Sequence, residues 1–388
     1  MPPSSREYES EGGGRTSGTM PLPDEALLAE IAGTPPIWAV IFAGGIGSRF
    51  WPLSTPATPK PVLPLVDGRP LIADCVGRLD PLIPGGRVLV VTSADIAEVV
   101  RTALPGIPSA NILVEDRPVG TAAALAWGVT EAKRRAGDQV AVCAMHADLA
   151  AAFPAAMRDA IKEAGTIAAR ERALVAIGGR PTRVETAFGH MTLITGSSKI
   201  DAGGAADVSE FVEKPGPVAA SALMQAGALW HSGIVVGPAQ EFLDSLAMYT
   251  PEVAAGMSAL AAGDIAGFTS KVRPVSIERG LLERIGRLLV IAPEIGWDDV
   301  GTWAGLRRVR ELDDDGNGAH GDAHFVDATG NVVHAESGTV VLFGVSQVLV
   351  VTRPGLTFIT SLERAADLKP LLDSLPGSAR ISPDSLGS

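Results

Sequence analysis

The chain has 388 residues, of which 46% are hydrophobic and 20% charged, so it is long enough for two domains around a large core. Its formal net charge of −12 argues against nucleic acid as a partner, and no apolar run approaches the ~20 residues of a membrane span. No signal-peptide pattern opens the chain, and Cys75 and Cys143 lie in apolar surroundings, so we expect a cytoplasmic protein with two reduced core thiols.

The first 35 residues are rich in Ser, Gly, Pro and Glu and show no sustained periodicity. We expect residues 1–35 to be a disordered extension, in which the apolar patch at residues 26–31 forms at most a short helix. The ordered part of the chain is therefore predicted to begin near residue 36.

A glycine-rich loop follows the first predicted strand. The apolar run Ile37–Phe42 predicts that strand, and the loop after it consists of Ala43, Gly44, Gly45, Ile46, Gly47, Ser48 and Arg49. Lys60 follows between two prolines. The backbone N–H groups of such a loop can approach an anion closely and the two cations add charge, although by spacing alone a simple tight turn is an equal alternative. The pattern lacks the Gly-Lys-Ser/Thr of a P-loop and the third glycine of a dinucleotide fingerprint.

Strand-like and helical patterns then alternate along the chain. We predict strands at residues 88–92, 112–114, 140–145, 174–177 and 208–212, and helices at residues 71–79, 96–104, 122–134 and 155–170. This alternation predicts an α/β fold of the Rossmann-like kind, with a mostly parallel sheet covered on both faces. In such sheets ligands bind at the carboxyl ends of the strands, so the residues directly after each strand are the first candidates.

The composition of the sequence changes after residue 312. Residues 313–318 are a polar linker, and short β-rich runs follow at residues 323–326, 332–334, 339–343, 348–352 and 357–360. We predict a catalytic domain at residues 36–312, a small β-roll or β-helix domain at residues 319–376, and a flexible tail at residues 377–388.

Several charged residues follow predicted strands, and each has an ordinary structural alternative. Asp148 is a candidate metal ligand or a helix N-cap, and Asp299, beside Asp298 and two tryptophans, is a second candidate ligand or part of a capping turn. Glu115 could accept hydrogen bonds from guanine or be an acid at a helix start. Lys214 is a candidate phosphate ligand or a solvated lysine. The six histidines lack the spacing of metal ligands.

The residue patterns of these motifs resemble those of a known family. The run A-G-G-x-G-S-R-x-W-P-L-S, followed by P-K-P-x-L-P-L, resembles the signature of sugar-nucleotide pyrophosphorylases, which are nucleotidyltransferases. The Trp-Pro-Leu-Ser variant at residues 51–54 is most similar to the mannose-1-phosphate guanylyltransferase branch. The C-terminal pattern D-x-x-G-N-x-V, ending near Asp367, Leu368 and Lys369, resembles the β domain of that branch.

The resemblance implies a set of site residues in the family's order. It implies a metal site for Mg²⁺ formed by Asp148 and Asp299. It also implies a nucleotide site formed by Ala43, Gly44, Gly45, Gly47, Ser48, Arg49, Lys60, Glu115, Gly120 and Thr121. It implies a sugar-phosphate site formed by Glu185, Gly189, Glu213, Lys214 and His231. Arg49, Lys60, Asp148, Lys214 and Asp299 would be the catalytic residues. Gly120 and His231 each replace a family asparagine, and His146 and Leu149 replace the flanks of the family's P-x-D-H.

The expected reaction joins GTP to a sugar 1-phosphate. In it, mannose 1-phosphate attacks the α-phosphorus of GTP in line, with the help of Mg²⁺, and GDP-mannose and pyrophosphate are formed. One alternative is transfer to another sugar 1-phosphate or from another nucleotide, and a second is a catalytically silent regulatory paralogue that binds GDP-sugar and a partner subunit. The resemblance also leaves room for a homo-oligomer formed through the C-terminal β domain.

Overall fold

The computed structural model describes residues 36–376 apart from residues 67, 195–199, 201–203 and 367. The predicted N-terminal extension with its patch at residues 26–31, the tail at residues 377–388 and Asp367 lie outside the described residues. None of the helices in the described part of the chain combines the length and apolarity that a membrane crossing requires.

The strands and helices follow one another in an α/β order. The strands are β1 (Ile37–Phe42), β2 (Val88–Ser93), β3 (Ile112–Glu115), β4 (Ala141–His146), β5 (Leu149–Ala151), β6 (Leu174–Gly179), β7 (Gly189–Leu193), β8 (Ala206–Glu213), β9 (Leu229–Pro238), β10 (Leu288–Ile291), β11 (Trp297–Asp299), β12 (Gly318–Val326), β13 (Val332–Phe343), β14 (Val348–Arg353) and β15 (Leu356–Ser361). The helices are α1 (Leu71–Leu79), α2 (Ala97–Ala103), α3 (Thr121–Ala136), α4 (Pro154–Glu171), α5 (Pro217–Gln225), α6 (Ala239–Tyr249), α7 (Pro251–Ala254), α8 (Met257–Ala261), α9 (Ile265–Lys271), α10 (Trp303–Val309) and α11 (Lys369–Ser374).

A nine-stranded sheet forms the centre, in the order β3-β2-β1-β4-β9-β6-β10-β8-β7. Strands β1 to β4 are parallel, whereas β9 is inserted antiparallel between β4 and β6. The predicted α/β class with a parallel-containing sheet is confirmed, and the antiparallel pairs make the sheet mixed.

Both faces of this sheet are covered. Along β1, Val40 points into the core that α3 and α6 cover, and Ile41 points into the core that α1, α2 and α4 cover. Because each residue of β1 is buried on one face or the other, the strand reads as a continuous apolar run. This packing fixes the carboxyl end of β1, where the glycine loop begins.

Two smaller sheets complete the described fold. Strands β5 and β11 pair antiparallel beside the carboxyl end of β4. Strands β12 to β15 form a four-stranded sheet in which β12, β13 and β14 are parallel and β15 returns antiparallel, as in a β-roll. A third apolar core joins this C-terminal sheet to the segment after the glycine loop, through buried residues such as Trp51, Trp303 and Leu349.

Candidate functional site

The glycine loop after β1 is shaped around the side chain of Lys60. Gly47 has a positive φ of 76°, and a Cβ atom there would overlap Cβ of Lys60. The backbone N–H of Lys60 donates to the carbonyl of Ile46 at 2.9 Å, which ties the two segments together. Glycine is therefore required at position 47. An added Cβ would meet nothing within 4 Å at Gly44 or Gly45, so the backbone there is open to an anion.

Lys60 and Asp148 form an ion pair at the end of β4. Nζ of Lys60 lies 2.5 Å from Oδ2 of Asp148, and Lys60 is only 9% exposed. Burial acts to raise the pKa of Asp148, but the charges of Lys60 and His146 and the hydrogen bond from Lys60 together outweigh it, and the pKa falls to about 2. Asp148 lies in the turn between β4 and β5, whereas α4 begins at Pro154, so the N-cap alternative for Asp148 does not apply.

The pairing of β5 with β11 brings Asp299 next to Asp148. Asp299 stands opposite Leu149 in this pair, and burial together with the charge of Asp148 raises the pKa of Asp299 to about 6. The neighbouring Asp298 is bound by Arg308 through two hydrogen bonds of 2.6 and 2.8 Å. Asp299 is thus the acid that faces Asp148, although the two are far apart in sequence.

The pair of Asp148 and Asp299 has the chemistry of a site for a hard divalent cation, since carboxylate oxygens are the preferred ligands of such ions. Burial and the charge of Asp148 raise the pKa of Asp299 even though Lys60 and Arg49 act to lower it. The described residues contain no cluster of three or more His, Cys, Asp or Glu side chains that could hold a metal ion. A cation here would take its remaining ligands from phosphates or water, as is usual for Mg²⁺.

A cavity of about 430 Å³ lies over the glycine loop. Glu115, at the end of β3, borders this cavity, is 7% exposed, and its Oε1 accepts no hydrogen bond from the described residues. Burial raises the pKa of Glu115 to about 7. Because α3 begins only at Thr121, Glu115 does not lie in the first turn of that helix, and the alternative of an acid at a helix start does not apply. The carboxylate is available to a ligand.

Gly120 and Thr121 border the same cavity and hold a distant segment in place. A Cβ at Gly120, which has a φ of 80°, would lie 2.5 Å from the backbone nitrogen of Val275. The hydroxyl of Thr121 accepts a hydrogen bond of 2.9 Å from the N–H of Ile277. The glycine in place of the family's asparagine is therefore explained by the close approach of Val275.

A second cavity, of about 290 Å³, adjoins the first, and Arg49, His146, Asp148 and Gly301 border both. Arg49 is held there because its Nη1 donates to the carbonyl of Gly301 at 3.2 Å. The two cavities thus meet at these shared residues, and Asp299 borders the second cavity at this junction.

The second cavity contains four of the five residues expected to bind the sugar phosphate. Nζ of Lys214 lies 2.8 Å from Oε1 of Glu213, whose pKa is raised by burial. His231 also borders this cavity, and burial lowers its pKa to about 4, so its ring is neutral. A Cβ at Gly189 would lie 2.6 Å from Cζ of Phe211, so a larger residue has no room there.

Glu185 is the expected sugar-site residue that does not border either cavity. Its Oε1 accepts hydrogen bonds from the N–H groups of Thr186 and Ala187 at 2.9 and 3.0 Å, and its Oε2 accepts two from Arg183 at 3.2 Å. Glu185 therefore shapes its own loop, which leads to Gly189.

Sequence reasoning did not predict that His146 and Glu278 pair with each other in the wall of the second cavity. Nε2 of His146 lies 3.3 Å from Oε1 of Glu278, and both residues border the cavity. Burial acts to raise the pKa of Glu278, but the hydrogen bond from His146 and the charges of His146 and His231 together outweigh it and lower the pKa to about 2. In the sequence, Ser276, Ile277 and Glu278 resemble the S-I-D segment that supports the site in the similar family, and His146 stands where that family has proline, but nothing connected the two positions.

Comparisons with known proteins show which family the chain resembles in sequence and fold. A sequence model of the family described as nucleotidyl transferase matches residues 38–315. The mannose-1-phosphate guanylyltransferase ManC of Salmonella typhimurium is 29% identical over 361 residues, which are 89% of this chain and 74% of that protein. The xanthan biosynthesis protein XanB of Xanthomonas campestris is 28% identical over 355 residues, which are 88% of this chain and 73% of that protein. A crystal structure from Thermus thermophilus, described as a mannose-1-phosphate geranyltransferase, has a TM-score of 0.80 and 29% identity, and the match covers 87% of this chain and 98% of that one.

Proposed function

Because the chain belongs to the nucleotidyl transferase family, we propose that it transfers the guanylyl group of GTP to mannose 1-phosphate and releases pyrophosphate. The product is GDP-mannose. The observation that carries this proposal is the meeting of two cavities at Arg49 and Asp148, because a nucleotide in one cavity and a sugar phosphate in the other would bring their phosphates together there. The relatives named mannose-1-phosphate guanylyltransferase support the choice of substrates.

In this proposal the glycine loop, Arg49 and Lys60 bind the triphosphate of GTP. The open backbone at Gly44 and Gly45 supplies N–H groups and the two side chains supply positive charge. Glu115 reads the base, since its carboxylate can accept hydrogen bonds from both N1–H and the 2-amino group of guanine, a pattern that adenine does not offer.

The sugar phosphate would bind in the second cavity. Lys214 pairs with its phosphate, while Glu213 and His231 contact sugar hydroxyls and Gly189 leaves room for the ring. An oxygen of the sugar phosphate attacks the α-phosphorus of GTP, a new P–O bond forms, and the bond to the β-phosphate breaks as pyrophosphate leaves. The protein contributes by holding the reactants in line and by placing positive charge beside the phosphates.

Asp148 and Asp299 would hold Mg²⁺ in this scheme. When bound, the ion neutralises negative charge on the reacting phosphates. Lys60, which lies 2.5 Å from Asp148, keeps that carboxylate ionised and turned to the junction of the cavities.

Transfer to a different sugar 1-phosphate stays the first alternative, because His231 stands in the sugar cavity where the similar family has asparagine. A catalytically silent paralogue is not favoured, since Arg49, Lys60, Asp148, Lys214 and Asp299 are all present and all border the cavities.

We also propose the division into a catalytic domain at residues 36–312 and a β-rich domain at residues 319–376. A homo-oligomer through the second of these is supported by an apolar patch at Val326, Val341 and Phe343, which are 50%, 62% and 71% exposed. A cytoplasmic location is supported by Cys75 and Cys143, which are both free thiols.

The test is pyrophosphate release by the purified full chain, with a panel of nucleoside triphosphates and sugar 1-phosphates, in the presence of Mg²⁺ or of a chelator. We expect GTP with mannose 1-phosphate to give the highest kcat/KM, and the chelator to abolish turnover. A higher kcat/KM for another pair would move the substrate assignment, and no release with any pair would remove the transferase assignment.

A further inference from the structure

A continuous series of contacts joins the C-terminal sheet to the phosphate-binding loop. From it we propose that the C-terminal sheet positions this loop for the nucleotide, with Phe358 and Arg353 acting as positioning residues. The inference rests on the proposed function in that the loop is taken to bind a nucleoside triphosphate. It adds a role for a sheet that borders neither cavity.

The first contacts fix the segment that follows the loop. The ring of Phe358 on β15 packs edge-on against Trp51, with 5.2 Å between ring centroids. Arg353 on β14 donates from Nη1 to the carbonyl of Pro52 at 2.7 Å. Trp51 is 8% and Phe358 is 9% exposed, so the contact is buried.

The next contacts pass from this segment to the loop itself. The hydroxyl of Ser54 donates to the carbonyl of Gly47 at 2.7 Å, and the N–H of Phe50 donates to the same carbonyl at 2.9 Å. Gly47 is the residue whose missing side chain makes room for Lys60. A displacement of residues 51–54 would therefore reach both the loop and its lysine.

A second route runs through the aromatic side chains. Trp303, which is fully buried, packs 5.2 Å from Phe50 and 6.1 Å from His334 of β13, measured between ring centroids. Nζ of Lys60 lies 5.3 Å from the centroid of Phe50. Lys60 therefore packs on the ring of Phe50, and Trp303 connects that ring to the C-terminal sheet.

The loop has little restraint of its own. Among the described residues no hydrogen bond reaches Gly44 or Gly45. These two glycines lie between Ala43, whose N–H donates to the carbonyl of Val91 and whose carbonyl accepts from the hydroxyl of Thr92, and Gly47. One of the two anchors of the loop is therefore Gly47. Closely packed cores transmit displacements, and ordering a loose loop on binding costs affinity. Weakening the anchor should thus raise KM for GTP and leave the sugar 1-phosphate, bound by other strands, almost unaffected.

The experiment compares two pairs of variants in the full chain. R353A is matched with E336A, because Arg353 also pairs with Glu336 at 2.9 Å and E336A removes only that pair. F358A is matched with I359A, the next residue on β15, which is 64% exposed. We expect R353A and F358A to raise KM for GTP about tenfold, with KM for the sugar 1-phosphate within twofold, and the controls to match wild type. F358Y keeps an aromatic ring at this position, so its KM for GTP should match that of wild type.

R353A leaves the apolar core intact, so it keeps the test valid if F358A does not fold. KM values for both substrates equal to those of wild type in R353A, or a parallel loss for both substrates, would overturn the proposal. A lower melting temperature with unchanged KM would also overturn it, since the sheet would then serve stability alone.

Hydrogen exchange gives a readout that does not need turnover. Since linkage is reciprocal, GTP should slow amide exchange in β14 and β15 of wild type and of E336A but not of R353A. Equal slowing in R353A, or none in wild type, would contradict the proposal. Wild type that fails to release pyrophosphate while showing this protection would remove the proposed reaction and keep the positioning role.

Discussion

Replacing Glu115 by glutamine should stabilise the free protein above neutral pH and weaken its binding of GTP. Glu115 is 7% exposed, its Oε1 has no partner among the described residues, and burial raises its pKa from 4.5 to about 7. The ionised carboxylate is therefore held in an unfavourable place until a ligand supplies donors. Glutamine has nearly the same shape without the charge.

The size and the pH range of the stability effect follow from the pKa of Glu115. Each tenfold change in an acid constant is worth about 1.36 kcal/mol, so the rise to about 7 corresponds to about 3 kcal/mol. Because water in the cavity screens the charge, we expect about 2 kcal/mol. Between pH 4.5 and 7 the folded wild type holds a proton that the unfolded chain releases, so its free energy of unfolding falls as the pH rises. The stability of E115Q does not fall in this pH range, and its free energy of unfolding should equal that of wild type below pH 4.5.

Urea unfolding of wild type and E115Q without nucleotide, at pH 4 and pH 8, measures the effect. The variant should be more stable at pH 8 only. A difference that is the same at both pH values, or absent at both, would refute the burial of an unpaired carboxylate at Glu115. In the assay of pyrophosphate release, E115Q should raise KM for GTP about thirtyfold, since hydrogen bonds to a charged group are worth about 2 kcal/mol. An unchanged preference for GTP over other nucleotides would place base recognition elsewhere.

Further substitutions test the proposed catalytic residues and the tight packing at the cavity edge. K60A and D299A should each lower kcat/KM at least a hundredfold, about 3 kcal/mol of transition-state stabilisation. D298A is the matched control because Asp298 binds Arg308, and near-normal turnover of K60A or D299A would contradict the role of that residue. G120A should lower the free energy of unfolding in urea by about 3 kcal/mol, because the added Cβ would lie 2.5 Å from the backbone of residue 275. An unchanged free energy of unfolding would mean that the segment around residue 275 moves freely.

The parts of the fold that local patterns predict are those where both faces of a strand are buried. The predicted helix at residues 71–79 coincides with α1, and the strands predicted around residues 88–92 and 112–114 match β2 and β3 within a residue or two. The two strands are short runs of mostly apolar residues, and the helix is preceded by Pro70. Strand β9 was not predicted, because its polar start around His231 interrupts the apolar run, and its insertion between β4 and β6 depends on contacts far apart in sequence.

The site shows the same division between local and distant information. The glycine loop and its cations can be read from one stretch of sequence. The approach of Asp299 to Asp148 depends on β5 and β11, which have three residues each and are too short for any periodicity to indicate a strand. Only the family resemblance connected the two acids. No local pattern connected His146 with Glu278, which lies 132 residues away in the sequence.

The role of Trp51 and its neighbours changes most once the structure is considered. In the sequence, residues 51–54 mark a branch of transferases named for mannose and guanine, which suggests that they contact one of these groups. In the structure none of the four borders either cavity. Trp51 and Pro52 contact the C-terminal sheet, and Ser54 holds the carbonyl of Gly47. We therefore infer that in this chain residues 51–54 join the C-terminal sheet to the glycine loop, and that they do not contact the sugar of the proposed reaction. The specificity for the sugar has to be sought among the residues of the second cavity, where His231 and the pair of His146 and Glu278 lie.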